Sequence, residues 1–322
     1  MEYFPYTYES LEKALRNANV KHEVIIVDDG SNKENKEFLK SFKKVHSKVF
    51  VFELEINCGP SAAKNRGIFE SKGDLICFFD ADDICSENKF SDQLAFLLKN
   101  NFNNVGMVFS DWELQSNQNM SKMSPFYYNH GIISDKNYII SRLLYSQNFI
   151  ATGSQIFTRK AVLKVGGFDE SRKLIEDVHF MLRIAANNFC FLKCKCSDFN
   201  FRYLKRNSGT SSGKSFQFPR ACLDNTRYAL HVVDKLDAPG YSELRCIIVS
   251  NLLGCLSFVD FFGFYKNFDL IFQLCKKKTE NKSWLVFSQI SIFFFLSVSG
   301  LRLFFGSLFK LLKNKYFEFY KS

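Results

Sequence analysis

The stretch GDLICFFDADD, Gly73 to Asp83, decides how the chain is read. Leu75 to Phe79 is a continuous apolar run with a β-branched and two aromatic members, the composition of a strand buried on both faces of a parallel sheet. Asp80, Asp82 and Asp83 follow at once. A sheet interior does not hold three unpaired anions, so the chain leaves the core there and the acids gather at the strand's carboxyl end. That edge is where open α/β sheets bind ligands. Acidic side chains at alternate positions, with small Ala81 between them, can turn toward one point and hold a hard divalent cation together with phosphate oxygens. A bare D-x-D is also a common acidic turn, or a cap for a helix starting near Ser86 to Lys89. The flanking segments favour the ligand-binding reading.

Upstream, Tyr8 to Asn19 reads as a helix with Leu11, Ala14, Leu15 and Ala18 on one face. Glu23 to Val27 is a short strand ending in Asp28, Asp29, Gly30 and Ser31. A helix over Asn35 to Lys44, a strand over Val49 to Leu54 and a helix over Pro60 to Ser71 follow. This alternation predicts a parallel, doubly wound α/β sheet. Such a domain opens with a strand, but only Met1 to Phe4 precede Pro5, so either a very short strand serves or the chain begins late. Downstream, Gln93 to Leu98 reads as a helix and Val105 to Phe109 as a buried strand. The polar stretch Gln115 to Ser124 is loop-like, a candidate mobile lid. Ile139 to Leu144 and Gln155 to Val165 return to order, and Gly166 to Asp169 makes a sharp turn. Glu176 and Asp177 then open an amphipathic helix carrying Phe180, Met181, Ile184 and Ala185. Phe201 to Tyr203 looks like a last strand before the Ser- and Gly-rich segment Lys205 to Ser215, a domain boundary.

The 322 residues suffice for one large or two modest domains, and the hydrophobic and charged fractions exclude wholesale disorder. The net charge of +10 belongs largely to the tail, where Lys276 to Ser322 holds nine basic residues and two acids, a net +7. Because these cations interleave with apolar residues, they suit an anionic membrane surface rather than nucleic acid. The ten cysteines fall mostly in apolar runs and no secretory signal precedes them, which reads as reduced thiols in the cytosol. Cys190, Cys194 and Cys196 read as strand cysteines in preference to a metal site.

Four segments now line up: VIIVDDGS (Val24 to Ser31), NCGPSAAKNRGI (Asn57 to Ile68), GDLICFFDADD, and GGFDE followed by IED (Gly166 to Glu170, Ile175 to Asp177). In this order and spacing they resemble the family 2 nucleotide-sugar glycosyltransferases, over roughly Tyr8 to Ser211. The resemblance implies a GT-A fold: Rossmann-like, with a mostly parallel sheet and flanking helices. It implies a nucleotide-sugar-binding half at 1–104, an acceptor-binding half at 105–212, and outside it a helical extension at 213–322.

The resemblance also implies roles. Asp29 accepts a hydrogen bond from the imide of a uracil base, with Asp28 as its turn-forming neighbour. Lys64 and Arg66 suit phosphate or ribose contacts at a helix start, one of the two being equally a solvated surface charge. Asp80 helps hold the ribose or metal, and Asp82 binds Mn²⁺ or Mg²⁺ on the diphosphate. Asp83 contacts the donor sugar or the surrounding shell. Asp177 is the base for the acceptor hydroxyl, with Glu176 raising its pKa by repulsion. Acids there also complement a helix dipole. His179 is a weaker acceptor or diphosphate contact, as a lone helical histidine is more often structural.

The tail completes the expectation. A helix over Val298 to Lys313 puts Val298, Leu301, Phe305, Leu308 and Leu312 opposite Arg302, Gly306, Lys310 and Lys313, an interfacial arrangement. Trp284 to Leu301 is uncharged and almost long enough to span a bilayer, although five polar residues count against a span. The predicted protein is an inverting, metal-dependent transferase on the cytoplasmic face of the plasma membrane. It uses a UDP-sugar and a saccharide or lipid-linked acceptor in bacterial surface polysaccharide or lipooligosaccharide synthesis. Transfer to a polyprenyl phosphate is the alternative within the fold, and an inactive nucleotide-binding or scaffold relative the alternative outside it.

Overall fold

A computed structural model describes residues 3–100, 104–116, 119–125, 131–144, 149–196, 201–204 and 217–233. The chain divides into two compact units, Met1–Ala221 and Cys222–Ser322. Of the second, only residues up to 233 are described, within and just after the helix Gln217–Val232. The expected boundary at Lys205 to Ser215 and the apolar and basic helices of the tail lie outside the described residues.

The first helix, α1 (Phe4–Ala18), starts four residues before the expected Tyr8. Pro5 sits in its first turn, where a missing N–H is harmless. Among the described residues no strand precedes α1. Strand β1 (Val24–Asp29) leads through α2 (Lys33–Val45) to β2 (Val49–Leu54), its parallel partner from Val24↔Val49 to Asp29↔Leu54. Helix α3 (Pro60–Glu70) precedes β3 (Leu75–Ile76), much shorter than the expected run, then β4 (Ile84–Cys85) and α4 (Lys89–Lys99). The second half holds β5 (Val105–Ser110), β6 (Trp112–Ser116), β7 (Asn119–Met123), β8 (Gly131–Ile133) and α5 (Lys136–Leu144). It ends with β9 (Gln155–Thr158), α6 (Arg159–Val165), α7 (Glu176–Ala186), β10 (Cys190–Cys194) and β11 (Phe201–Leu204).

These strands form three sheets: β1-β2, the five-stranded β3-β9-β5-β10-β8, and β4-β11-β6-β7. The α/β layering agrees with expectation, but a mostly parallel sheet does not. Among the described residues only β1 with β2, β5 with β10 and β6 with β11 run parallel. Strand β9 lies antiparallel to both neighbours, β3 and β5, and turns directly into α6, whose first turn the Thr158 hydroxyl caps through the Ala161 N–H. Alternating helices and strands predict layers, not direction, wherever a strand returns without a full crossover helix.

The expected lid is a β-hairpin. Strands β6 and β7 pair antiparallel from Trp112↔Met123 to Ser116↔Asn119. The Trp112 indole donates to the Phe149 carbonyl at 3.1 Å. The fully buried Lys193 ammonium reaches Asp111 at 3.0 Å and the Ser124 hydroxyl at 2.8 Å, tying the hairpin's open base to the central sheet. A buried cation held by a carboxylate and a hydroxyl anchors the base of this polar hairpin.

An aromatic floor organises the region below the acids. Phe168 stacks on Phe180 with centroids 4.1 Å apart, Phe157 meets Phe180 at 5.2 Å, and Phe78 meets Phe168 at 5.0 Å. All four are buried. They belong to β9, α7, the segment after β3 and the turn after α6, so one apolar cluster fixes the elements carrying Asp80, Glu176 and Asp177.

Candidate active site

At the end of β1, Asp28 is 4 % exposed and accepts the Ser31 N–H at 3.2 Å, closing a turn. Its other oxygen is buried without a hydrogen-bond partner. Gly30 has φ +74°, and a Cβ there would come within 2.6 Å of the Asn57 nitrogen, so the turn admits no side chain. Asp29 accepts the N–H groups of Cys58 at 2.7 Å and Gly59 at 2.9 Å, one on each oxygen. It therefore joins the strand end to the entry of α3. A carboxylate has further lone pairs, so this duty is compatible with a base N–H as an additional donor.

Lys64 and Arg66 part company. The Lys64 ammonium is 2.8 Å from Glu176 and 5.2 Å from the centre of the Phe168 ring. Arg66 points to the outer face, pairing with Glu70 at 2.7 Å and lying 5.3 Å from the Phe52 ring centre. Residues two apart on a helix do not share a face, so only Lys64 reaches the acids.

Asp80 is exposed, yet it lies where surrounding protein thins out the solvent. Desolvation raises its pKa first, Lys64 opposes this, and the charges of Asp82 and Glu176 raise it further. An accessible carboxylate that neighbouring protein partly desolvates keeps room for a ligand while its charge is felt by the groups around it. Asp83 is only 2 % exposed, so its side chain is turned into the protein. The Asp83 N–H donates to the Asp80 carbonyl at 3.3 Å, shaping the turn.

Glu176 and Asp177 open α7 after Ile175, a β-branched residue at φ 47° and ψ 34°. Such a residue in the left-handed region is a true outlier, and strain of this kind collects at functional sites. Burial, then the Glu176 charge, pushes the Asp177 carboxyl up to about 6, while Lys64 pulls against them. Lys64 is held above its ordinary value although burial lowers it, because Glu176, Asp80 and Asp177 together outweigh that penalty. Lys64, Asp80, Asp82, Glu176 and Asp177 thus form one interacting group, drawn from α3, the β3 exit and α7. His179 is 5 % exposed and pushed down to about 4 by burial and then by Arg172 and Arg183, so it is a neutral, interior histidine.

Among the described residues no group of three or more His, Cys, Asp or Glu is placed to hold a metal. Asp80 and Asp82 nevertheless suit a hard cation as partial ligands. Asp82 repels Asp80 enough to raise it, and a shared cation with water and phosphate oxygens would relieve that repulsion.

Residues 2–167 match the family described as Glycosyl transferase family 2. The chain belongs to this family. The match covers Asp29, Lys64 and the acids after β3 but stops short of Glu176 and Asp177. Curated relatives are matched over limited stretches, which span 14 %, 45 % and 37 % of the length of the first three. The last is a putative teichuronic acid biosynthesis glycosyltransferase of Bacillus subtilis, TuaG, 29 % identical over 94 residues, which are 29 % of this chain. S. aureus TarS (residues 1–349), solved with UDP-GlcNAc, superposes with a TM-score of 0.58 at 18 % identity, covering 82 % of this chain and 71 % of that one. A mannosyltransferase from Pyrobaculum calidifontis, solved with GDP-Man and Mn²⁺, gives 0.54 at 12 % identity, over 95 % and 80 %. At such identities the likeness establishes the GT-A-like α/β fold.

Sequence reasoning passed over Asn65, whose amide binds the turn ahead of α7, and Arg183, which donates to the Gly167 carbonyl at 2.8 Å. The signal was present in the glycine pair Gly166-Gly167, both at positive φ, which announces a turn that something must hold.

Proposed function

We propose that the chain transfers a sugar, with inversion, from a nucleotide diphosphate sugar to a hydroxyl of a saccharide or glycolipid acceptor. A UDP-sugar is the first donor, and the process is synthesis of a bacterial surface polysaccharide or lipooligosaccharide. The observation that carries the reading is the meeting of Lys64, Asp80 and Asp82 with the raised Asp177 in one interacting group of charges. Family membership and the teichuronic acid relative support the reaction class and setting.

Asp177, ionised above about pH 6, takes the proton of the acceptor hydroxyl. The hydroxyl oxygen bonds to the anomeric carbon as the bond to the diphosphate oxygen breaks. Lys64 offers its positive charge to the departing phosphates, and Glu176 keeps that ammonium in place until then. Asp80 and Asp82 would hold Mn²⁺ or Mg²⁺, which when bound supplies further charge stabilisation for the diphosphate. Asp29 serves base recognition, supported by its place at the mouth of α3. The segment 213–322 acts as a helical extension resting on the anionic inner face of the plasma membrane, supported by the tail's net +7.

A second reading, a nucleotide-binding relative without turnover, is favoured by one observation: β1-β2 stands as a separate two-stranded sheet, not hydrogen-bonded to the five-stranded one. Incubation of the full chain with UDP-sugars and Mn²⁺ decides between them. Release of UDP that Asp177→Asn abolishes supports the transferase. Binding of UDP with no release by folded protein supports the second reading.

A further inference from the structure

Lys64 and Glu176 are 112 residues apart in sequence and sit on different helices, so something must hold α3 against α7 for their charges to meet. The residue after Lys64 does this. Asn65 Oδ1 accepts the Phe168 N–H at 2.7 Å, and its Nδ2 donates to the Phe168 carbonyl at 2.9 Å and to Glu170 at 2.8 Å. One amide therefore satisfies both backbone groups of a single residue in the turn between α6 and α7. The turn is shaped to receive it: Gly167 has φ +73°, and a Cβ there would lie 2.5 Å from Asn65 Oδ1. From the other side Arg183 of α7 donates to the carbonyls of Gly167 and Val165. Phe168, held in this way, presents its ring to the Lys64 ammonium and stacks on Phe180 of α7.

The chemistry of the amide matters. Aspartate at 65 would keep the acceptor but lose the donor and repel Glu170, and alanine would lose all three bonds. We propose that Asn65 is a positioning residue, which by locking the backbone of Phe168 sets the Lys64 ammonium against Glu176 and so fixes the spacing between α3 and α7. The hydrogen bonds of the Asn65 side chain go to Phe168 and Glu170, not to the acids of the site. Its effect on transfer passes through Lys64, and in that respect it rests on the reading of Lys64 and Asp177 given above.

Two measurements on the full chain test it. The first needs no turnover: acylation of lysines followed by mass spectrometry, with Lys72 as the exposed reference. Asn65→Ala should speed modification of Lys64 about fivefold relative to Lys72, because the pair now opens locally. An unchanged ratio overturns the proposal. The second is a double-mutant cycle on UDP release. Asn65→Ala should lower kcat about tenfold with donor KM within about twofold in the natural background, and barely at all once Lys64→Ala is present. Equal losses in both backgrounds would show a merely structural role and overturn it. Should Asn65→Ala fail to fold, Asn65→Asp keeps the bond to the Phe168 N–H and is judged by the same two criteria. If the natural protein releases no UDP, the transferase reading falls, and the labelling result alone decides on Asn65.

Discussion

Strands β1 and β5 are written alike, VIIVDD and VGMVFS, yet the fold treats them differently. All six residues of β5 are buried, whereas in β1 only Asp28 is. The difference is one of neighbours. β5 is bonded on both edges, by β9 and β10, and covered by α4 and α6. β1 is bonded only by β2. An apolar run announces a strand, but its depth depends on what lies on either side. The same contrast separates the two ends of the candidate site. The Glu176–Asp177 side rests on the deep sheet and its aromatic floor, while the Asp28–Asp29 side rests on a two-stranded sheet.

If the deep side carries the chemistry, Asp177→Asn should reduce UDP release by about 10²- to 10⁴-fold, the usual contribution of a positioned base. The same variant should raise the Tm at pH 7.5. The folded pKa of about 6 lies above the ordinary value of 3.8, so the folded protein binds the extra proton between those values. Stability from this group is gained as pH falls through that window and is absent above it, where the neutral amide removes a buried charge. In the natural protein, activity should fall as pH drops below about 6. A flat profile down to pH 5 would break the assignment of the base.

The contrast in burial predicts a contrast in stability. Phe109→Ala in β5 should cost about 3 to 5 kcal/mol in denaturant titration, and Ile26→Ala in β1 less than about half of that. Equal losses would mean that the half-buried face of β1 is covered in solution. A smaller effect concerns the cation. UDP with Mn²⁺ at about 100 times its Kd should stabilise the chain by about 2.7 kcal/mol, and Asp82→Ala should remove the metal-dependent part of that shift. The smallest concerns Ile175. Replacing it by glycine should relieve about 1 kcal/mol of backbone strain, seen as a slightly higher Tm, while loosening the aim of Glu176 and Asp177.

Much of this was legible from the residues. The apolar runs before Asp28 and through Val105 to Phe109 marked strands, whereas the run before Asp80 gave a strand of only Leu75–Ile76. Other features hid for physical reasons. The β6–β7 hairpin has polar residues in both strands, and its anchor is Lys193, 69 residues beyond Ser124. The early start of α1 was written in Pro5, but Phe4 and Tyr8 pack on Phe38 and Phe42 of α2, a tertiary reward that local propensity does not contain. In the site, the charges of Lys64 and Arg66 were equally visible, and only helix geometry separated the inward from the outward one. The short β3 and the reversed β9 belong to pairing, which no single segment encodes.

The bonds from Asn65 to Phe168 and from Lys64 to Glu176 close loops of more than a hundred residues. Such contacts are entropically expensive to make and form late. A nascent chain that has exposed its first strands and the acids after Phe79, but not yet α7, therefore lacks Glu176 and Asp177. The group of interacting charges is complete only once residues from both ends of these loops have been made.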